Sequence, residues 1–127
     1  MQKAVIIYST TDGQTKRICE FLKQKLEAKI NIDLFSIEDI DQAELNFYDK
    51  IIIGASIRYG KHSPKLYKFI EKNIDVLKAK FTAFFTVNVV ARKEGKNTPD
   101  TNPYMKKFLQ LTNWQPNLLD VFAGKID

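Results

Sequence analysis

Short apolar runs that do not alternate with polar residues set the strongest limit on the fold of this chain. Four such runs, rich in β-branched and aromatic residues, occur at residues 4–8, 50–54, 81–87 and 118–122. A strand with one wet face alternates apolar and polar side chains, so these runs predict strands that are buried on both faces. Residues 30–34 do alternate, and they therefore predict an edge strand.

Between the predicted strands, apolar residues recur at the three- and four-residue spacing of a helix. The apolar residues with this spacing are Ile18, Cys19, Leu22 and Leu26, then Leu66, Phe69, Ile70, Ile74 and Leu77, and finally Tyr104, Phe108 and Leu111. Each set predicts one amphipathic helix. Ser63-Pro64 and Asn102-Pro103 supply an N-cap and a first-turn proline to the second and third helices. With a short helix before the third strand, the predicted order is β-α-β-α-β-α-β-α-β.

This alternation predicts a doubly wound α/β domain. Its sheet is mainly parallel, with right-handed crossovers and helices on both faces. No internal repeat or linker divides residues 1–127, which predicts a single domain. Only residues 124–127 follow the last strand, where a closing helix is expected. We therefore expect either that another chain covers this face, or that the sequence is a piece of a longer protein.

Composition excludes several classes of protein. Hydrophobic residues make up 44% of the chain, which suffices for a core and argues against a disordered or low-complexity chain. Cys19 is the only cysteine, so no internal disulfide or Cys/His zinc site is expected, and a reducing compartment is favoured. Every apolar run is far shorter than the roughly 20 residues of a membrane helix. Membrane contact is therefore expected to be peripheral.

The first candidate site lies between the first strand and the first helix. In open α/β sheets, ligands bind beyond the carboxyl ends of the strands. Here residues 9–15 place hydroxyl side chains around Gly13 and lead into a helix N-terminus, which favours a phosphate. The alternative is a polar helix-capping loop. Neither GxxxxGK[ST] nor GxGxxG is present, which disfavours ATP and NAD.

The second candidate segment, residues 54–62, follows the third strand. Two glycines bracket an aromatic residue, an apolar residue and polar donors, a mixture suited to a flat ring with a hydrogen-bonding edge. An ordinary βα loop is the alternative. His62 is the only histidine, and a lone loop histidine is more often solvated or structural than catalytic. Arg58 is a candidate for orienting an anionic substrate or for a surface ion pair.

The third candidate segment, residues 88–101, follows the fourth strand. It is long for a βα connection, and long loops are often functional. Its basic residues Arg92, Lys93 and Lys96 outnumber its two acidic residues by one. The segment is therefore either a solvated excursion or a basic lid over an acidic substrate.

In order and spacing, these three segments resemble the flavodoxin fold, a five-stranded parallel sheet of order 2-1-3-4-5. More closely, the chain resembles the bacterial menaquinone-dependent protoporphyrinogen oxidase family, a flavodoxin-like branch. The residues that carry this resemblance lie at 9–15, 53–60, 87–93 and 98–102, and it spans nearly the whole chain. Members normally continue past the last strand with an aromatic, basic tail and a final helix, so the resemblance implies that this helix is missing here.

The resemblance implies a cofactor, FMN, and assigns residues to it, with no metal and no identified catalytic residue. The FMN phosphate would be surrounded by Ser9, Thr10, Asp12, Gly13, Gln14 and Thr15. The flavin ring would lie between one loop of Ala55, Ser56, Ile57, Arg58, Tyr59 and Gly60 and another of Asn88, Val89, Val90 and Ala91. The anionic groups of a substrate would meet Arg58, Arg92, Lys93 and Lys96.

The function implied by the resemblance is oxidation of protoporphyrinogen IX to protoporphyrin IX in haem biosynthesis, with electrons passed to a quinone. The expected partners are protoporphyrinogen IX or another anionic small molecule, and a quinone or a redox partner protein. The expected location is the cytoplasm, with the inner face of the cell membrane as a site of peripheral association. Formation of a homo-oligomer stays open.

The main alternative is a plain flavodoxin, an FMN electron carrier without a substrate of its own. Flavodoxins resemble one another in being strongly acidic, whereas this chain has 20 basic and 15 acidic residues, a net charge of +5. The charge thus favours an anionic substrate or lipid. A nucleic-acid partner is not expected, because the basic residues are dispersed and no binding motif is present. A Mg²⁺-binding response regulator would need clustered acids after the first strand, and none occur there.

Overall fold

The computed structural model describes residues 3–9, 14–40, 42–58, 61–88, 91 and 93–123. Its strands are β1 (Lys3–Ser9), β2 (Asn31–Ser36), β3 (Lys50–Arg58), β4 (Lys61–His62), β5 (Phe81–Val87) and β6 (Leu118–Phe122). Its helices are α1 (Gln14–Leu26), α2 (Gln42–Leu45), α3 (Pro64–Lys72), α4 (Ile74–Ala79) and α5 (Pro103–Leu111). Both predicted N-caps are confirmed, since Ser63 accepts from the backbone of Lys65 and Asn102 from Tyr104 and Met105.

The predicted doubly wound sheet is confirmed. Five parallel strands lie in the order β2-β1-β3-β5-β6, and the two-residue β4 pairs antiparallel with β3. Counted over the five parallel strands alone, this is the order 2-1-3-4-5. Because the strand order reverses between β2 and β3, the carboxyl ends of β1 and β3 meet at a switch point.

Helices cover both faces of the sheet. On one face, Phe84 of β5 stacks on Phe108 of α5 with ring centroids 3.8 Å apart. The indole of Trp114 meets both rings edge-on and donates from Nε1 to Thr82 Oγ1 at 3.1 Å. On the other face, α1 buries Ile18 and Cys19 against β1 and β5. Burial of this apolar surface is the main source of stability.

The two edges of the sheet differ in how well the sequence predicts them. β2 is an edge strand, as its alternation predicts. The prediction that residues 118–122 are buried on both faces is wrong, because β6 forms the opposite edge of the described sheet and Leu118 is 58% exposed. Apolar content alone does not reveal that a strand is terminal, since this depends on which neighbours pair with it.

The helix predicted over residues 66–77 is two helices. It breaks at Asn73, whose φ of −111° and ψ of 19° are not helical. The buried side chain of Asn73 donates from Nδ2 to the carbonyl of Phe69 at 2.8 Å, and its N–H also meets that carbonyl at 3.1 Å. An asparagine that bonds to the preceding turn offers the backbone an alternative to the helix. The apolar spacing continues through Asn73 and so hides the break.

Gly54 of β3 makes room for an aromatic ring on the neighbouring strand. A Cβ atom at this position would lie 2.1 Å from Cζ of Phe85, which is buried and packs edge-on against Phe122. We expect Gly54→Ala to lower the free energy of unfolding by about 2 kcal/mol, because the ring must leave its packed position. Urea denaturation measures this change.

Phe85→Leu provides the control for this prediction. If the cost of Gly54→Ala comes from the clash, the double variant Gly54→Ala/Phe85→Leu is less destabilised than the sum of the two single variants. Additive losses would show instead that the glycine acts through the backbone alone.

Candidate functional site

The three predicted segments leave the sheet side by side. In the register of the parallel strands, Ser9 at the end of β1 lies opposite Ala55 of β3, and Ala55 lies opposite Thr86 of β5. The loops that follow these strands therefore begin at one edge of the sheet, next to the N-terminus of α1. The carboxyl edge is where an open α/β sheet binds ligands.

The first segment contains a buried hydroxyl with no partner. Thr15, the second residue of α1, has no exposed surface, and its Oγ1 makes no hydrogen bond within the described part of the chain. A buried polar atom without a partner costs about 1–3 kcal/mol, which a bound ligand can recover. Ser9 is half-buried at the end of β1. Residues 10–13 and the side chain of Gln14 lie outside the described residues.

Cys19 lies one turn further along α1 and points into the core. Burial, followed by the charge of Glu20, raises the pKa of its thiol to about 12. The thiol is therefore protonated at neutral pH and is a packing group rather than a nucleophile.

The second segment is not the loop that the sequence predicts after Gly54. β3 continues to Arg58, and the chain folds back so that Ile57 pairs with His62. Ala55 is buried, while Ser56 and Ile57 are half-buried. The extension follows from pairing on both sides, with β1 as far as Ala55 and with β5 as far as Ser56. Tyr59, Gly60 and the side chain of Arg58 lie outside the described residues.

His62 is a structural residue rather than a solvated loop histidine. It is 3% exposed, and its Nε2 lies 2.8 Å from Thr86 Oγ1. The rings of Tyr67, Phe84 and Phe108 surround it edge-on. Burial lowers the pKa of His62 to about 4, so the imidazole is neutral at physiological pH. The sequence favours a solvated or structural histidine over a catalytic one, and long-range packing makes His62 a buried, structural residue.

Two buried asparagines, Asn88 and Asn102, form what we call the asparagine clasp. Each side-chain amide donates to the other's oxygen, at 3.2 Å and 3.0 Å. Asn88 also donates to Thr86 Oγ1 at 3.4 Å, which continues the polar chain to His62. Asn102 Oδ1 accepts from the backbone N–H groups of Tyr104 and Met105. The clasp thus joins the end of β5 to the start of α5.

The third segment connects the two asparagines of the clasp. Ala91 is buried and its N–H donates to Asn88 Oδ1 at 3.1 Å, whereas Lys93 and Lys96 are exposed. The carbonyl of Lys96 accepts from Asn102 Nδ2 at 2.9 Å. Val89, Val90 and Arg92 lie outside the described residues. The sequence marks Asn102 only as an N-cap, and nothing local in it indicates that the same side chain holds the preceding loop.

Comparison with known proteins places this arrangement in a family. The family model described as a flavodoxin domain matches residues 5–127. The chain belongs to the flavodoxin domain family. The solution structure of two-electron reduced Megasphaera elsdenii flavodoxin matches with a TM-score of 0.76 at 15% identity, covering 98% of this chain and 88% of that one. A flavodoxin from the domain Archaea matches with a TM-score of 0.65 at 22% identity, covering 94% and 83%.

Curated relatives with higher identity carry an enzyme name. Protoporphyrinogen IX dehydrogenase (quinone) of Leishmania major is 42% identical over 126 residues, 98% of this chain and 54% of that protein. The protein of the same name from Escherichia coli K12 is 40% identical over 125 residues, 98% of this chain and 69% of that protein. The chain thus spans about half to two thirds of the length of these relatives. The predicted resemblance to this flavodoxin-like branch is confirmed, and it supports a flavin cofactor.

The described residues contain no group of three or more His, Cys, Asp or Glu side chains that could hold a metal ion. In the same part of the chain, none of the helices has the length and apolar character needed to cross a membrane.

Proposed function

We propose that this chain binds FMN and oxidises protoporphyrinogen IX to protoporphyrin IX, with a quinone as the electron acceptor. The observation that carries this proposal is the identity of 40–42% to dehydrogenases of that name over 98% of the chain. A net charge of +5 agrees with it, because the substrate carries two propionates and a quinone is reached from an anionic membrane surface.

The residues at the carboxyl edge fit the phosphate of FMN. The buried Thr15 hydroxyl lacks a partner and lies in the first turn of α1, where backbone N–H groups and the helix dipole favour an anion. We assign the phosphate to residues 9, 10 and 12–15, and the ring to residues 55–60 and 88–91. When bound, the flavin supplies the redox chemistry by accepting two electrons and a proton from the substrate.

The chain's own residues supply binding and rigidity. The asparagine clasp fixes the start of the loop at residues 88–91 through the bond from Ala91 N–H to Asn88 Oδ1. β4 fixes the end of the other loop by pairing with Ile57 and Arg58. The neutral His62 is hydrogen-bonded to Thr86 between the two, and at neutral pH it is not the protonated imidazolium that would act as a general acid. These contacts hold the described ends of the two loops, at Ile57 and Ala91, in position before a ligand binds.

The first test is anaerobic stopped-flow spectroscopy of the FMN-reconstituted protein mixed with protoporphyrinogen IX. We expect the flavin absorbance to bleach and porphyrin fluorescence to appear faster than in flavin-free controls, and a menaquinone analogue to restore the flavin absorbance. If FMN binds but stays oxidised in the presence of the porphyrinogen, the electron-carrier alternative replaces the enzyme.

The assignment of the phosphate makes a separate prediction for Thr15. We expect Thr15→Val to weaken FMN binding by about tenfold, since one hydrogen bond to a charged oxygen is lost. The free energy of unfolding without FMN should change little, because Oγ1 has no hydrogen bond to lose and valine has a similar shape. Flavin fluorescence titration and urea denaturation measure the two quantities.

Thr82→Val is the matched control for Thr15→Val. Thr82 is also buried, but its Oγ1 accepts from Trp114 Nε1 far from the carboxyl edge. This control should lose stability and keep its FMN affinity. Equal FMN affinities for wild type and Thr15→Val would remove Thr15 from the phosphate site.

A further inference from the structure

A groove runs between α3 and α5 on the face of the sheet opposite α1. Its cavity of about 400 Å³ is lined mainly by apolar surface, including the rings of Tyr67 and Tyr104 and the side chain of Leu111. Leu111 is 59% exposed, although it belongs to the apolar stripe of α5. The volume falls within the range of about 300–1,000 Å³ that is usual for small-molecule sites.

The groove adjoins the predicted flavin loops. Lys61 and His62 form one end of it, and the same two residues pair with Arg58 and Ile57 at the end of β3. α5, which forms one wall, is capped at its N-terminus by Asn102 of the asparagine clasp. A ligand in the groove would therefore contact elements that are hydrogen-bonded directly to both loops.

The charged residues that line the groove are all basic. Lys61, Lys68 and Lys107 line it, and among the described residues no acidic side chain does. The ion pairs from Lys23 to Glu27 and from Lys65 to Glu38 do not involve these three lysines. An apolar groove lined by lysine ammonium groups favours a ligand that is both apolar and anionic.

The other end of the space between α3 and α5 differs in charge. A second cavity of about 260 Å³ lies there, also bordered by Tyr67 and Leu111, and it is lined by Glu71 and Asn113. A carboxylate ligand is repelled at that end and attracted at the end next to β4. The charge distribution thus directs an anionic ligand towards the carboxyl edge of the sheet.

We propose that this groove between α3 and α5 binds the porphyrinogen, with Lys68 and Lys107 facing its propionates and Tyr67, Tyr104 and Leu111 contacting its apolar ring system. The proposal rests on the proposed function, because the charge and shape of the groove specify only an apolar, anionic ligand and the function identifies that ligand as the porphyrinogen. It places the substrate on residues outside the set Arg58, Arg92, Lys93 and Lys96 that the sequence predicts. Those residues stay candidates for the part of the ligand nearest the flavin.

The test uses the FMN-loaded protein and two unreactive probes, protoporphyrin IX and its dimethyl ester, in fluorescence titrations. The variant is Lys68→Gln/Lys107→Gln. Its matched control is Lys72→Gln/Lys106→Gln, which removes the same charge from exposed positions of the same two helices that do not line the groove. We expect the variant to bind the free acid about tenfold more weakly than wild type, and the control to stay within about twofold.

The dimethyl ester lacks the carboxylates of the free acid, so comparing the two affinities separates recognition of charge from binding of the apolar ring. Wild type and control should prefer the free acid, and the variant should lose this preference. A second pair tests the apolar wall. Leu111→Glu should weaken binding of both probes, and Leu109→Glu on another part of α5 should not. FMN affinity, measured by flavin fluorescence, should be the same in all of these proteins.

The outcomes distinguish the groove from the function. If wild type oxidises protoporphyrinogen but Lys68→Gln/Lys107→Gln and Leu111→Glu bind both probes as wild type does, the groove assignment is wrong and the function stands. If wild type binds neither probe and does not oxidise the porphyrinogen, both proposals fall. Selective loss of acid binding in the lysine variant, with FMN affinity retained, supports the groove.

Discussion

Replacing Asn102 with alanine is expected to lower the free energy of unfolding by about 3 kcal/mol. The change removes the N-cap of α5, which is worth about 1 kcal/mol. It also leaves the buried amide of Asn88 without the partner to which it is bonded at 3.0–3.2 Å, a loss of about 1–3 kcal/mol. Asn102 has no exposed surface, so water does not replace these bonds. Urea denaturation of the flavin-free protein measures the effect.

Ser63→Ala is the matched control for Asn102→Ala. Ser63 caps α3 through one bond from the N–H of Lys65 at 3.2 Å, but it belongs to no buried network. We expect this control to lose about 1 kcal/mol and to keep its FMN affinity. Asn102→Ala should also bind FMN more weakly, because Asn88 no longer fixes the loop at residues 88–91. Equal losses in the two variants would mean that the clasp adds nothing beyond capping.

The second large effect is a loss of stability in acid that depends on His62. The pKa of His62 is about 4 in the folded protein and about 6.5 in an unfolded chain, because burial disfavours the imidazolium. Between these two pH values the unfolded state binds a proton that the folded state does not, so stability falls as pH falls. The difference of about 2.5 pH units corresponds to about 3 kcal/mol. Above pH 6.5 the imidazole is neutral in both states, and His62 causes no loss of stability.

His62→Gln removes the titrating group and keeps a polar side chain next to Thr86. The variant is expected to be less stable than wild type at pH 7.5, since it loses the ring contacts with Phe84 and Phe108. Between pH 6.5 and 4, however, its stability should fall less steeply than that of wild type. Glu38, whose pKa is lowered by its bond to Lys65, is present in both proteins and cancels in the comparison. Parallel curves would show that His62 titrates normally in the folded protein.

The elements that the sequence predicts well are those set by neighbouring residues. The parallel strands, the amphipathic helices and the caps at Ser63 and Asn102 all follow from spacing within a few positions along the chain. The choice of family also depends on short motifs, and the matched domain extends over residues 5–127. Local signals therefore suffice for the fold class.

The features that the sequence does not predict depend on contacts between distant positions. β3 extends past Gly54 because β1 and β5 pair with it. His62 is buried by Thr86, Phe84 and Phe108, which are more than 20 positions away. The order 2-1-3-4-5 that the resemblance implies places β6 at the edge of the sheet, but the composition of β6 alone does not differ from that of an inner strand. The groove between α3 and α5 likewise needs two helices that are brought together by the sheet.

The asparagine clasp also has a consequence for how chains of this kind can diverge. It brings positions 88 and 102 into contact, so residues 89–101 form a closed loop whose ends are fixed by the fold. For such a loop, doubling its length adds only about 0.6 kcal/mol of chain entropy. Lys93 and Lys96 lie on this loop and are exposed, so residues can be inserted or charges changed beside them without repacking the core, although Ala91 of the same loop is buried. Insertion at this point can thus alter the loop while the clasp is kept, whereas a change at either asparagine removes the hydrogen bonds of the other.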